Sequence, residues 1–321
     1  MILRLLLVAL LAFAAPLAAQ SPSLESAVRL FDARDYVRAR AALVPVAEAE
    51  PGNAAAAYYL GRIAIVAGDA DEAISWLERA TRLDPATADY HRWLGRAYSR
   101  EVRRSGRLKQ LRLAKKIRRE FEAAVALAPD DVQARHDLLQ FYLIAPGFAG
   151  GSVSKARGQA REIGARNPML GRVAEGWVAE AGKDYASAER HYAAALAQYP
   201  DSTEPYVALG ALYQRTKQWE KAFDVYERLL EACPEKAGAH YLIGRTASLA
   251  GEKLARGEQA LKVYLTKQPG EGDAPLASAH YRLGLIYERQ GRVAEAREQY
   301  EAALRLDPHE PDARKALARL R

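Results

Sequence analysis

Cysteine is almost absent from this sequence, since Cys233 is the only one among 321 residues. A single cysteine excludes an intramolecular disulfide framework and the zinc modules that use several cysteine ligands. Cys233 lies near the end of a predicted helix, and we interpret it as a small buried residue rather than a redox-reactive thiol. The fold must therefore be stabilised by its apolar core, which a hydrophobic content of 50% can supply.

Catalytic motifs are also missing. The sequence contains neither H-E-x-x-H nor G-x-S-x-G, and its six histidines are scattered. His91, His240 and His280 recur at one position of a repeat, which favours packing over a metal cluster. From these absences we predict that the protein is not an enzyme and holds no metal or cofactor. No strand-like alternation of apolar and polar residues occurs either, so we predict an all-helical fold.

Long apolar runs are confined to the N-terminus. Arg4 precedes 15 apolar residues, fewer than the roughly 20 that a transmembrane helix needs. Pro16 and the small residues after it resemble a signal-peptidase site, so we predict that residues 1–19 are a cleaved signal peptide and residues 20–321 the mature protein. The alternative is an uncleaved anchor helix. The scarcity of cysteine favours the periplasm as the location of the protein.

A repeated pattern fills the rest of the chain. Prolines recur at intervals near 34 residues, and each follows a segment with apolar residues at helical spacing. The clearest unit, 277–310, has the pattern L-G-x-x-Y, then A-x-x-x-Y, then a final proline. It is formed by Leu283, Gly284, Tyr287, Ala296, Tyr300, Ala303 and Pro308.

These residues resemble the tetratricopeptide repeat family, and the resemblance covers residues 23 to 310. It implies an all-α, right-handed superhelical solenoid of about eight helix-turn-helix units, of the exported bacterial type. Residues 312–321 are predicted to form a capping helix. The predicted units start near residues 23, 54, 88, 132, 169, 203, 237 and 277.

The third unit contains about ten extra residues, and its segment 103–119 carries nine positive charges and no negative one. Leu108, Leu111 and Ile117 recur at helical spacing, which predicts an extended amphipathic helix. Its basic residues are expected either to contact an anionic lipid or polymer surface or to form a solvated helix face. They are Arg103, Arg104, Arg107, Lys109, Arg112, Lys115, Lys116, Arg118 and Arg119.

The fourth unit contains a glycine-rich loop at residues 145–152. A phosphate-binding loop is excluded because no G-K-[ST] follows the glycines and because the loop joins two helices. Ser152 and Lys155 spell S-x-x-K, but the companion motifs of the β-lactamase-like enzymes are absent, so Ser152 or Ser154 is interpreted as a helix cap. The loop remains a candidate contact edge.

The resemblance also implies a concave groove lined by the first helix of each unit. The family's groove positions place in it Tyr58, Arg62, Arg92, Arg96, Arg100, Gln140, Trp177, Arg215, Tyr241, Arg245, Tyr281 and Arg289. Guanidinium groups bind carboxylates in pairs of hydrogen bonds, so we expect an extended, acidic protein segment as partner. The alternative is that several of these arginines pair with acidic residues on neighbouring helices.

The predicted function is a protein-protein interaction scaffold of the bacterial cell envelope. The net charge of +7 favours acidic partners or anionic surfaces. Family members that clamp chaperone tails use asparagines in the groove, whereas this chain has only Asn53 and Asn167, so that specific function is not expected. Nucleic acid is not expected either, because no aromatic residue is interleaved with the basic ones in 103–119.

Overall fold

The computed structural model describes residues 23–102, 104–267, 269 and 273–320. The predicted signal peptide 1–19 and Arg103 lie outside these residues. The described chain contains only helices, which confirms the predicted all-α fold, and none of them is long and apolar enough to cross a membrane. The α-helices are α1 (Leu24–Asp32), α2 (Tyr36–Ala49), α3 (Ala54–Ala67), α4 (Ala70–Leu83), α5 (Ala88–Val102), α6 (Arg107–Leu127), α7 (Val132–Ile144), α8 (Val153–Arg166), α9 (Pro168–Ala181), α10 (Tyr185–Gln198), α11 (Thr203–Arg215), α12 (Trp219–Ala232), α13 (Ala237–Ala250), α14 (Leu254–Leu265), α15 (Leu276–Arg289), α16 (Val293–Leu306) and α17 (Pro311–Arg319).

Short polar side chains begin several of the helices. Asn53, Asp69 and Asp131 each accept a hydrogen bond from a backbone amide in the first turn of the helix that follows. Gly68 ends α3 with a φ of 83°, a left-handed conformation that glycine adopts without strain. These caps keep the connections short, so each odd-numbered helix packs against the even-numbered helix that follows it.

Glycine lets the two helices of a pair approach closely. A Cβ atom added at Gly210 would collide with the buried ring of Tyr226, and one at Gly95 would collide with the ring of Phe121. Leu261 fills the corresponding space against Gly244. The apolar core of these pairs therefore contains rings and aliphatic side chains of the even-numbered helices packed on a glycine of the preceding helix.

The packing of successive pairs gives the array its curvature. Consecutive odd-numbered helices contact one another along most of the array, whereas even-numbered helices are bridged by ion pairs between long side chains. Arg40 of α2 reaches Glu72 of α4 at 2.8 Å, and Arg256 of α14 reaches Glu227 of α12 at 2.8 Å. The layer with the closer spacing lies inside the curve, so the odd-numbered helices line the concave side.

The two ends of the array lie close together. Arg104, in the turn after α5, donates a hydrogen bond of 2.8 Å to Asp307, which follows α16. A cavity of about 370 Å³ lies beside this ion pair and is lined by residues of both ends, including Val37, Ile63 and Leu306. At the C-terminus, α17 covers the last pair by burying Ala313 and Ala316.

Helix α6 departs from the regular pattern. It has 21 residues, whereas the other even-numbered helices up to α16 have 12 to 14. Its buried face is formed by Leu113, Ile117 and Phe121. The predicted apolar stripe is wrong at its N-terminal end, because Leu108 is 77% and Leu111 39% exposed.

Candidate functional site

The candidate site is the concave groove, which we define as the surface formed by the odd-numbered helices α3 to α15. In its N-terminal part, Arg62 lies among aromatic rings. Its guanidinium is 4.5 Å from the ring centroid of Phe31 and 4.7 Å from that of Trp93, and it donates a hydrogen bond of 3.0 Å to the Tyr58 hydroxyl. These contacts hold Arg62 and Tyr58 in place and stabilise the charge within the protein.

Two further arginines of this part meet carboxylates. Arg96 of α5 donates hydrogen bonds of 2.6 and 3.0 Å to Asp137 of α7, which is only 7% exposed. Burial alone would raise the pKa of Asp137, but the adjacent His136 and Arg96 lower it below its usual value. Arg92 donates hydrogen bonds of 3.0 and 2.7 Å to Asp89 on its own helix. The N-terminal part thus compensates these two charges internally.

Aromatic and polar residues occupy the middle of the groove. The rings of His136 and Trp177 lie 4.9 Å apart across α7 and α9, and Gln140 is half-buried beside them on α7. Arg215 of α11 lies 2.8 Å from the Glu180 carboxylate, and its side chain is 59% exposed. Glu180 also accepts a hydrogen bond of 2.6 Å from the Tyr192 hydroxyl.

The C-terminal part of the groove differs, because its arginines do not meet carboxylates. Arg245 of α13 donates to the amide oxygen of Gln214, whose amide nitrogen donates to the Thr246 hydroxyl at 2.6 Å. Arg289 of α15 is exposed and packs against Gly251 at the end of α13. Neither arginine has a carboxylate within ion-pair distance among residues 23–102, 104–267, 269 and 273–320.

Two tyrosines lie on the same helices as these arginines. Tyr241 packs on the ring of Tyr264 with centroids 5.5 Å apart, and Tyr281 packs on Tyr300 at 6.0 Å. Both side chains remain half-buried. The remaining predicted groove residue, Arg100 of α5, lines the cavity between the two ends of the array.

Most basic residues of segment 103–119 have partners within the chain. Arg104 binds Asp307, Lys109 lies 2.7 Å from Glu101, Lys116 lies 3.2 Å from Glu78, Arg118 lies 3.8 Å from Glu122, and Arg119 lies 2.6 Å from Glu120. Glu101 and Glu120 are buried, so Lys109 and Arg119 compensate carboxylates removed from water. Arg107, Arg112 and Lys115 are exposed and have no acidic partner in the described part of the chain.

The glycine-rich loop has a defined structure. A Cβ atom at Gly151 would collide with the backbone of Ala145, and Gly150 has a φ of 104°, so both positions require glycine. The Ser152 hydroxyl accepts a hydrogen bond of 3.3 Å from the Lys155 amide and caps α8. Phe148 projects from the loop with 80% of its surface exposed. It was not predicted from the sequence, where only the glycines and serines of this loop indicated a role.

Sequence comparison identifies the repeats. The sequence profiles of the tetratricopeptide repeat match residues 30–97, 179–246 and 277–310, together more than half of the chain. No curated protein matches this sequence.

Many solved structures are similar in fold, and three of them are compared below. Human IFIT1, a dimer with m7Gppp-AAAA, has 18% identity and a TM-score of 0.50, covering 88% of this chain and 71% of that one. A tetratricopeptide repeat protein from Parabacteroides merdae ATCC 43184 has 16% identity and a TM-score of 0.47, covering 79% and 93%. The APC/C hetero-tetramer Cut9-Hcn1 has 14% identity and a TM-score of 0.47, and this chain spans about half of the matched chain. At these identities the likeness concerns the fold alone, whereas the profile matches settle the family. The chain belongs to the tetratricopeptide repeat family.

Proposed function

We propose that this protein is a non-enzymatic scaffold that binds an extended, acidic protein segment in its concave groove. Tetratricopeptide repeats generally serve as protein-interaction scaffolds, and the matches indicate no enzyme family. The observation that carries the acidic preference is the pair of groove arginines, Arg245 and Arg289, whose charges no described carboxylate compensates.

The chemistry of the C-terminal part supports this choice of partner. A guanidinium offers two parallel hydrogen bonds to a carboxylate, and two arginines on successive odd-numbered helices suit acidic residues spaced along an extended chain. The half-buried rings of Tyr241 and Tyr281 provide apolar contact on the same helices as the two arginines. The best ligand is therefore an extended peptide in which acidic and apolar side chains alternate.

The network within the chain supports rigid binding. Hydrogen bonds from Arg96 to Asp137 and from Gln214 to Thr246 join consecutive odd-numbered helices and fix their register. A groove that is already ordered before binding loses little conformational entropy when the partner enters. We expect little change in the backbone of this protein on binding.

The cell envelope is the proposed location, and it rests on the apolar segment at residues 1–19. The test is expression of the full chain in a bacterium, followed by fractionation and N-terminal sequencing of the periplasmic protein. We expect a new N-terminus close to Gln20. Retention of the intact chain in the cytoplasm would contradict the proposal.

The partner chemistry can be tested with a displayed library of random peptides selected on residues 20–321. We expect enrichment of peptides that alternate acidic and apolar residues, and loss of their binding in the double variant Arg245→Gln, Arg289→Gln. The matched control is Arg190→Gln, Arg305→Gln, which removes two exposed charges from the even-numbered helices α10 and α16. Selection of peptides without acidic residues, or equal loss in both variants, would contradict the proposal.

A further inference from the structure

The extra length of α6 produces an overhang with exposed apolar side chains. Leu108 and Leu111 are three residues apart and therefore lie on one face of the helix, opposite the buried Ile117. Leu113 is the first residue of α6 whose side chain is buried. The neighbouring even-numbered helices are shorter by a third or more, so they offer less surface to cover the first turns of α6.

The last residue of α7 and the glycine-rich loop that follows it add two more exposed apolar side chains. Ile144 is 78% and Phe148 80% exposed. The loop packs on α6, with Gly150 in contact with the Arg118 side chain. Arg118 lies seven residues after Leu111, which places it on the same helix face about 10 Å away. The two insertions that break the repeat therefore extend the same surface.

The uncompensated cations of α6 lie around these apolar residues. Arg107, Arg112 and Lys115 are the members of the basic segment that have no acidic partner in the described part of the chain, whereas the cations nearer the core are paired. Arg112 and Lys115 follow Leu108 at spacings of four and seven residues, which places all three side chains on one face.

We propose that this edge patch, formed by Leu108, Leu111, Ile144, Phe148, Arg107, Arg112 and Lys115, docks the protein on an anionic phospholipid membrane. Cations next to protruding aromatic and aliphatic side chains are the pattern of interfacial membrane binding: the rings enter the acyl boundary and the charges meet the headgroups. A dissolved polyanion would use the cations and leave Phe148 and Leu108 in water. The patch is formed mainly by α6 and the loop 145–152, with Ile144 at the last residue of α7, and it contains none of the predicted groove residues.

The first test measures co-sedimentation of residues 20–321 with vesicles. We expect binding to vesicles of phosphatidylcholine and phosphatidylglycerol in equal amounts and little binding to phosphatidylcholine alone. The variant Arg107→Gln, Arg112→Gln, Lys115→Gln should bind the anionic vesicles about a hundredfold more weakly, because each cation near an anionic surface contributes roughly a factor of five. Equal binding to both vesicles, or no effect of the variant, would overturn the proposal.

The second test separates a membrane from a soluble polyanion. Ile144→Ser and Phe148→Ser together should weaken vesicle binding by about tenfold. The matched control is Val293→Ser, at an exposed residue of α16, which should change nothing. Thermal unfolding of each variant checks that it folds. Full vesicle binding by the loop variant, with competition by polyphosphate, would assign the patch to polyanions and overturn membrane docking. Neither test measures peptide binding in the groove, so the failure of membrane docking and the failure of the proposed groove function can be told apart.

Discussion

The N-terminal and C-terminal parts of the groove use the same residue at the same repeat position with different consequences. Arg96 and Arg245 each follow the glycine of a first helix, yet Arg96 meets the carboxylate of Asp137 and Arg245 meets the amide of Gln214. The charge of Arg96 is compensated by an internal ion pair, whereas the charge of Arg245 remains available to a binding partner. The neighbouring unit, rather than the arginine, decides whether the position serves stability or binding.

The largest expected difference between the two parts is in how much each arginine contributes to the free energy of unfolding. Arg96→Ala leaves the buried Asp137 with only His136 beside it, at 3.6 Å, and should lower the free energy of unfolding by about 3 kcal/mol. Arg245→Ala leaves an amide instead, and its cost should be about 1 kcal/mol. Urea unfolding followed by circular dichroism measures both. Equal costs would remove the distinction between the two parts, whereas partial rescue of Arg96→Ala by Asp137→Asn would strengthen it.

The sequence could predict the helices but not these partners. Helix positions follow from local spacing of apolar residues, and the caps follow from single residues such as Asn53 and Gly68. The partner of Arg96 lies 41 residues further along the chain, on another unit, and nothing in the local pattern of α5 specifies it. The exposure of Leu108 could not be predicted from the sequence either, because it depends on the length of neighbouring helices.

Packing should be alike in the two parts, which sharpens the comparison. Gly95→Ala and Gly244→Ala each place a methyl group against a buried side chain, Phe121 or Leu261, and should each destabilise by about 1–3 kcal/mol. The control Gly158→Ala lies in α8 with no atom near its added Cβ and should stabilise by up to about 1 kcal/mol. Thermal unfolding compares the three variants. A large cost at only one of the two packed glycines would show that the parts also differ in their core.

A smaller difference in the free energy of unfolding is expected between the Tyr→Phe variants of two buried tyrosines. Tyr192 donates its hydroxyl proton to Glu180, so Tyr192→Phe should cost about 1–2 kcal/mol. The Tyr226 hydroxyl is buried with no hydrogen-bond partner in the described chain, so Tyr226→Phe should be neutral or stabilising. Urea unfolding measures both. A cost at Tyr226 as large as that at Tyr192 would indicate a partner for its hydroxyl.

The smallest expected effect depends on pH. The hydrogen bond to Glu120 raises the pKa of His91 above its ordinary value of 6.5, so the protonated form stabilises the contact of α5 with α6. This contribution is complete below pH 6.5 and disappears as the pH rises through the raised pKa of the folded state. The stability difference between the wild type and His91→Gln should therefore shrink as the pH rises from 6.5 through the raised pKa of the folded state. A difference that stays constant over that range would contradict the assignment.

The central claim is that a missing carboxylate leaves Arg245 free to bind an acidic partner. Gln214→Glu supplies that carboxylate and gives Arg245 the kind of partner that Arg96 already has. Fluorescence anisotropy with a labelled peptide of alternating Glu and Leu should show at least a tenfold loss of affinity in Gln214→Glu, because one charge-assisted contact is lost. Unchanged affinity of a folded Gln214→Glu protein for that peptide would contradict the account.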